Sequence, residues 1–288
     1  MELNDEHGKL SPRARLGRRL RRLRERKGLS LRQLSDEVGG YSHSYLGRVE
    51  LGEQLPSEAL VNLLDEFFDT DGMLTELLEL AHDKLIPDYG RKVVNQEPEA
   101  ERIQIFSSNF VPALLQVQEY TRESFRMALL QETDAELDER VAARMRRQRI
   151  LDREEPPHYW GIMDEAALAR PIGGAMCMAK QLKHVLRVAA QRHVTVQVLP
   201  FAAGAYPLPG GSLILHTMPN GGTVASVESF ASGEFVEDPK RVLALVRKFD
   251  LVRSMALSGD ASLDLIRSYL KGYEGEEDSP GIGSGRLA

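Results

Sequence analysis

Two short helix signatures joined by a glycine pair constrain this chain more than any other feature. Ser30-Leu31-Arg32-Gln33-Leu34-Ser35-Asp36-Glu37-Val38 runs through Gly39-Gly40-Tyr41 into Ser42-His43-Ser44-Tyr45-Leu46-Gly47-Arg48-Val49-Glu50. Ser30 and Gln33 have the spacing of a capping box, and Leu29 with Leu34 that of a hydrophobic staple. Ser42 is placed to accept from the free amides of the second helix, with Tyr41 and Leu46 as its staple. Glycine takes positive φ without a Cβ penalty, so Gly39 and Gly40 predict a stop after Val38 and a change of direction. Leu34, Val38, Leu46 and Val49 then face inward. His43, Ser44, Gly47 and Arg48 face outward, where a recognition helix meets base edges. The pattern predicts a helix-turn-helix.

The surroundings separate this reading from an ordinary helical hairpin. Residues 1–30 hold ten Lys or Arg against four acids, a net of +6, while the whole chain is at −6. The other 258 residues therefore carry −12. A basic block at one end of an acidic chain is the electrostatic footprint of phosphate contact. Leu16, Leu20 and Leu23 recur at helical spacing through the block, so its arginines decorate an amphipathic first helix. Residues 57–98 carry ten acids against three basic residues, a face expected to point away from DNA.

Residues 16–85 resemble the Cro/C1-type (XRE) helix-turn-helix domain through Leu-Gly-Arg-Arg-Leu-Arg-Arg-Leu-Arg at 16–24, Gly28-Leu29-Ser30, and Arg48-Val49-Glu50-Leu51-Gly52-Glu53 followed by Pro56. The resemblance implies about five helices and assigns base reading to Ser42, His43, Ser44 and Arg48. Candidate phosphate contacts are Arg18, Arg19, Arg22, Arg32 and Tyr45. Three features depart from the family pattern: a turn one residue longer, Leu31 in place of a phosphate-contacting Gln, and Gly47 where a larger polar residue is usual. Arg32 can take over the phosphate contact. Arg48 is the strongest base-reading candidate, because a guanidinium pairs bidentately with guanine. A double-stranded operator is the partner this implies. One recognition helix reads few base pairs, so a homodimer on a palindromic site is expected.

The remaining length accommodates a second domain. Ser57–Phe68 and Gly72–Leu85 read as two more helices, giving an all-α helix-turn-helix domain over residues 1–86. Proline and glycine punctuation predicts a linker at 87–98. An α+β domain follows over 99–271, with helices near 99–107, 117–130, 134–152, 174–190, 238–255 and 261–269. Strands are predicted near 159–163, 194–199, 212–217 and 223–229, the last two joined by the hairpin signal Pro219-Asn220-Gly221-Gly222. Residues 272–288 read as a disordered tail. A single cysteine, Cys177, fits a reducing compartment. The sequence shows neither a membrane-length apolar run nor a signal peptide, so a cytoplasmic location is expected.

Phe110-Val111-Pro112-Ala113-Leu114-Leu115-Gln116, Arg140-Val141-Ala142-Ala143-Arg144-Met145-Arg146-Arg147-Gln148, Asp164-Glu165-Ala166-Ala167-Leu168, Arg170-Pro171-Ile172-Gly173-Gly174 and Val196-Gln197-Val198-Leu199-Pro200-Phe201 stand in order along the second domain. Together they resemble the C-terminal domain of WhiJ-like, Scr1-type regulators of actinobacteria. That resemblance implies a transcriptional regulator, sometimes antitoxin-like, with a small partner protein encoded nearby. Arg144, Arg147, Gln148, Glu165, Arg170 and Glu228 are the candidates for a partner or ligand pocket, although a Glu beside a strand and an Arg on a helix more often form a structural ion pair. His184 and His193 lack further ligands at metal spacing, so no metal site is expected. Nor is a cofactor, since the glycine clusters lack the context of a phosphate loop. No nucleophile is assembled with a base, and an enzyme is not expected. Two readings stand: a sequence-specific regulator whose C-terminal domain senses a partner protein or small ligand, or an antitoxin-like protein that mainly neutralises a small partner.

Overall fold

Four serines set where the N-terminal helices begin. The computed structural model describes residues 11–83, 88–229 and 232–277, and the chain divides into two units, Met1–Pro87 and Asp88–Ala288. In the first unit α1 (Pro12–Arg26), α2 (Leu31–Val38), α3 (His43–Glu50) and α4 (Glu58–Phe68) start on Ser11, Ser30, Ser42 and Ser57, whose hydroxyls accept from free backbone amides. Ser30 and Gln33 complete the predicted capping box. Gly39 and Gly40 both take positive φ, 58° and 69°, which turns the chain between α2 and α3. Leu16, Leu20, Leu34, Leu46, Val49, Leu60, Leu64, Leu74 and Leu78 form one core.

The fifth helix, α5 (Met73–Asp83), is capped from a distance. The buried Asp65 carboxylate on α4 accepts from Leu74 N and Thr75 N at 2.9 Å each, and from the Thr70 and Thr75 hydroxyls. Burial by itself would raise this carboxyl, but the bonds from Thr70, Leu74 and Thr75 hold it below its ordinary 3.8. A depressed folded value means stability that is present above the unfolded value and lost as pH falls through the folded one. Asp65→Asn should therefore be less stable than wild type at pH 7, with the gap closing below about pH 4. Urea unfolding of both proteins across this range checks it; a gap that does not change with pH would refute the assignment.

The second unit is built on a mixed sheet of order β3-β2-β1-β4-β5-β6, comprising β1 (Arg102–Ser107), β2 (His158–Asp164), β3 (Val194–Leu199), β4 (Ser212–Thr217), β5 (Thr223–Glu228) and β6 (Gly233–Val236). β1 runs parallel to β2 and antiparallel to β4. One face presents Ile103, Ile105, Tyr159, Met163, Val196 and Ile214 to α10 (Gly174–Val188) and α12 (Gly259–Glu277). The other presents Phe106, Ile162, Leu199, Leu213 and Leu215 to α11 (Pro239–Met255). α7 (Gln118–Ala128), α8 (Asp134–Gln148) and the short α9 (Ala166–Ala169) complete the unit. An all-α unit followed by an α+β unit is the predicted fold class.

Several elements differ from the sequence reading. The helix predicted near 99–107 is instead the central strand β1, whose Ile103 and Ile105 alternate with Phe106 because both faces of the sheet are covered. The predicted linker at 87–98 holds α6 (Asp88–Gln96), with Val93 buried in the core; residue 87 lies outside the described residues. The tail predicted from 272 starts too early. α12 continues to Glu277, and the buried Tyr273 donates to Leu168 O at 2.7 Å. Residues 278–288 lie outside the described residues. β6 went unpredicted, being only four residues long.

Candidate functional site

In the first unit α3 presents its amino-terminal turn to solvent. Its position is set by α1, where Gly17 allows the closest approach: a Cβ there would lie 2.4 Å from Val49 O and 2.7 Å from Glu50 O. Arg24 fastens the same junction, donating from Nε and Nη2 to Glu50 at 2.6 and 2.8 Å and from Nη1 to Leu29 O at 2.7 Å. Both side chains are largely buried, so this arginine of the basic block braces the fold and is spent as a phosphate contact. His43, Ser44 and Arg48 are exposed. Ser42 is exposed too, although its hydroxyl already accepts from Tyr45 N at 3.2 Å.

Arg18, Arg22 and Arg32 are exposed and make no hydrogen bond or ion pair among the described residues, as phosphate contacts require. Two other candidates have structural partners. Arg19 Nε donates to Met73 Sδ at 3.1 Å. Tyr45 is half-buried and stacked on Tyr41, and its hydroxyl accepts from Ser57 N at 3.1 Å. Desolvation raises the Tyr45 hydroxyl, consistent with a group turned inward. Tyr45 thus fixes the loop after α3.

In the second unit four of the six pocket candidates converge. Arg147 pairs bidentately with the buried Glu97, Nη2 to Oε1 at 2.7 Å and Nε to Oε2 at 3.0 Å. Arg144 lies one turn away on α8, its Nη1 donating to Gln116 Oε1 at 3.0 Å and its guanidinium 4.2 Å from the centre of the Phe125 ring. Its Nε is buried with no partner. Burial, and then the like charge of Arg147, lower this guanidinium to about 9. Glu228 at the end of β5 is raised by burial, opposed by Arg147 and Arg144. Gln148 donates to Ala113 O and Gln116 O at 2.8 and 2.7 Å, which makes it a support for the preceding loop. His216 Nε2, Ser226 Oγ and Tyr159 OH are also buried without partners.

A family model described as a domain of unknown function, DUF5753, matches residues 91–268. The chain belongs to the DUF5753 family. A helix-turn-helix domain model matches residues 15–78. No curated protein and no solved structure matches the chain. Within the DUF5753 domain, Glu165 and Arg170 lie apart from the cluster around Arg144. Glu165 accepts from Phe201 N at 2.7 Å and Tyr269 OH at 2.9 Å, tying the end of β2 to α12. Arg170 is exposed beyond α9. Glu97, His216 and Ser226 belong to the cluster and were missed. Glu97 falls in the stretch read as linker, and a single His or Ser within a strand carries no spacing signal.

Cys177 of the DUF5753 domain is buried, and burial followed by Glu119 and Glu123 pushes its thiol up to about 11, the opposite of a reactive thiolate. Among the described residues no cluster of His, Cys, Asp and Glu is placed to hold a metal ion. No helix among them is long and apolar enough to cross a membrane.

Proposed function

We propose that this protein is a sequence-specific DNA-binding transcriptional regulator. The carrying observation is a capped helix-turn-helix whose second helix exposes His43, Ser44 and Arg48, in a unit whose Arg18, Arg22 and Arg32 are exposed cations without partners among the described residues. The helix enters the major groove, Arg48 reads a base, and the three cations hold phosphates. A homodimer on a palindromic operator supplies the reading length that one helix lacks. The DUF5753 domain is the regulatory half in this proposal. Its resemblance to WhiJ-like, Scr1-type domains supports control by a small partner or ligand.

Fluorescence anisotropy with DNA from upstream of the gene tests this reading. Arg48→Ala should lose ~1–3 kcal/mol of specific binding and relax the preference at one base position. Arg22→Ala should instead weaken all sequences alike and lower the salt slope by about one. Equal affinity for operator and control DNA in the wild type would sink the regulator reading. An Arg48→Ala profile identical to wild type would remove only the base-reading assignment.

A further inference from the structure

α11 is a basic element in an acidic domain. Residues 88–288 hold 24 Lys or Arg against 27 acids, yet the 17 residues of α11 hold five against one. Two of the five are paired, Arg241 with Glu234 at 2.7 Å and Arg253 with Asp250 at 3.3 Å. Lys240, Arg247 and Lys248 are exposed and have no hydrogen bond or ion pair among the described residues. The helix also turns apolar groups both ways. Val242, Phe249 and Val252 are buried against the sheet, while Leu243 and Leu251 are 51% and 52% exposed on the solvent side. Their four-residue spacing about Arg247 puts all three on one ridge.

Beside that ridge, a groove of about 390 Å³ lies between α11 and the β5 and β6 strands. Val227 and Val236 line it from the strands; Arg241, Ala244, Leu245 and Lys248 line it from the helix. The helix residues stand at i, i+3, i+4 and i+7, the four-residue hole that receives a side chain from a facing helix. Ala244 leaves this hole open, and Arg241 and Lys248 stand at its two ends, roughly 10 Å apart along the axis. The complement is an apolar side chain with a carboxylate one turn to either side, a spacing that an amphipathic helix supplies. One carboxylate meets the free Lys248. The other joins Arg241, whose pair with Glu234 is more than half exposed and therefore weakly held. A membrane surface would cover the Leu243 ridge and leave the groove unfilled. A small ligand in the groove would leave Lys240 and Arg247 unmet, because neither lines it.

We propose that this groove and the adjoining ridge dock an acidic amphipathic helix of a partner protein. Its apolar row seats on Ala244, Leu245, Val227 and Val236, and its carboxylates meet Lys240, Arg247 and Lys248. Apolar burial holds the helix, and the cations fix its register and exclude basic helices. The proposal rests on the reading of the DUF5753 domain as the regulatory half and names the kind of partner that reaches it.

Selection from a display library of amphipathic helices, randomised at every position facing the target, tests this on the full-length chain, with the Ala244→Arg protein as counter-target. Arginine at this exposed position fills the hole and is a good helix former, so folding is retained, as thermal unfolding checks. Helices should be enriched on the wild type alone, carrying Asp or Glu one turn before and after a large apolar residue. As a synthetic peptide in fluorescence anisotropy, the strongest helix should lose tenfold or more in affinity for Ala244→Arg and several-fold for Lys248→Glu. A peptide with Lys in place of the facing acid should regain affinity for Lys248→Glu. No enrichment over the counter-target would overturn the proposal. So would enriched helices without the acidic bias, or peptides that bind Lys248→Glu as tightly as the wild type. Co-sedimentation with phosphatidylserine vesicles in the absence of any selected helix would overturn it in favour of a membrane surface. These measurements contain no DNA, so their failure leaves the regulator reading standing, and failure of operator binding leaves them readable.

Discussion

Gly17→Ala should loosen the helix-turn-helix by about 2 kcal/mol, although alanine is the better helix former. The added methyl would meet two backbone carbonyls, Val49 O at 2.4 Å and Glu50 O at 2.7 Å, at the carboxyl end of the recognition helix. A flexible side chain could rotate aside; a carbonyl in a helix moves only if the helix moves. Overpacking of this kind typically costs ~1–3 kcal/mol and occasionally more, against a propensity gain of up to ~1 kcal/mol. Hydrogen exchange on the full chain should show amides of α1 and α3 exchanging roughly 30-fold faster, the kinetic equivalent of about 2 kcal/mol of local opening.

The control lies in the neighbouring helix. A Cβ at Gly47 meets only the Leu31 Cδ1 atom, at 3.4 Å, so Gly47→Ala should be neutral or stabilising by up to ~1 kcal/mol. Operator affinity should fall for Gly17→Ala through displacement of α3, with no change in which bases are preferred. Protection in Gly17→Ala equal to wild type would show that α1 does not constrain the recognition helix.

Glu97→Ala should strongly destabilise the DUF5753 domain. Glu97 is 4% exposed and neutralises Arg147 through two short hydrogen bonds. Its removal leaves Arg147 unpaired in the interior, one helical turn from Arg144, a second buried cation. Breaking a buried pair from one side costs ~3–5 kcal/mol, because the surviving charge keeps its desolvation penalty. For a unit of this size that corresponds to a fall in melting temperature of roughly 10 °C. Removing both charges with apolar replacements, Glu97→Leu with Arg147→Met, should cost much less than the single change. If the double variant is as unstable as Glu97→Ala, packing and not charge explains the loss.

Tertiary contacts also sort the cations of the basic block. Ten cations in the first thirty residues mark an electrostatic end, and Arg18 and Arg22 remain exposed there. Arg24 and Arg19 were indistinguishable from them in sequence. Their partners, Glu50 and Met73, stand 26 and 54 residues further on. The pocket candidates divide in the same way: Arg144 and Arg147 on α8 are near enough to Glu228 to influence it electrostatically, whereas Glu165 is drawn to Tyr269, 104 residues away.

The sequence by itself determined the helix-turn-helix, its capped starts, its glycine turn and the outward set His43, Ser44 and Arg48. Capping and periodicity act over three or four residues, and those signals were complete within residues 29–50. Tertiary structure decided that 102–107 is a strand, since burial on both faces needs partner strands on both edges and helices over both faces. It also stacked Tyr45 on Tyr41 and paired Glu97 with Arg147. Each of these depends on which groups a side chain meets once water is excluded, and no local pattern encodes that.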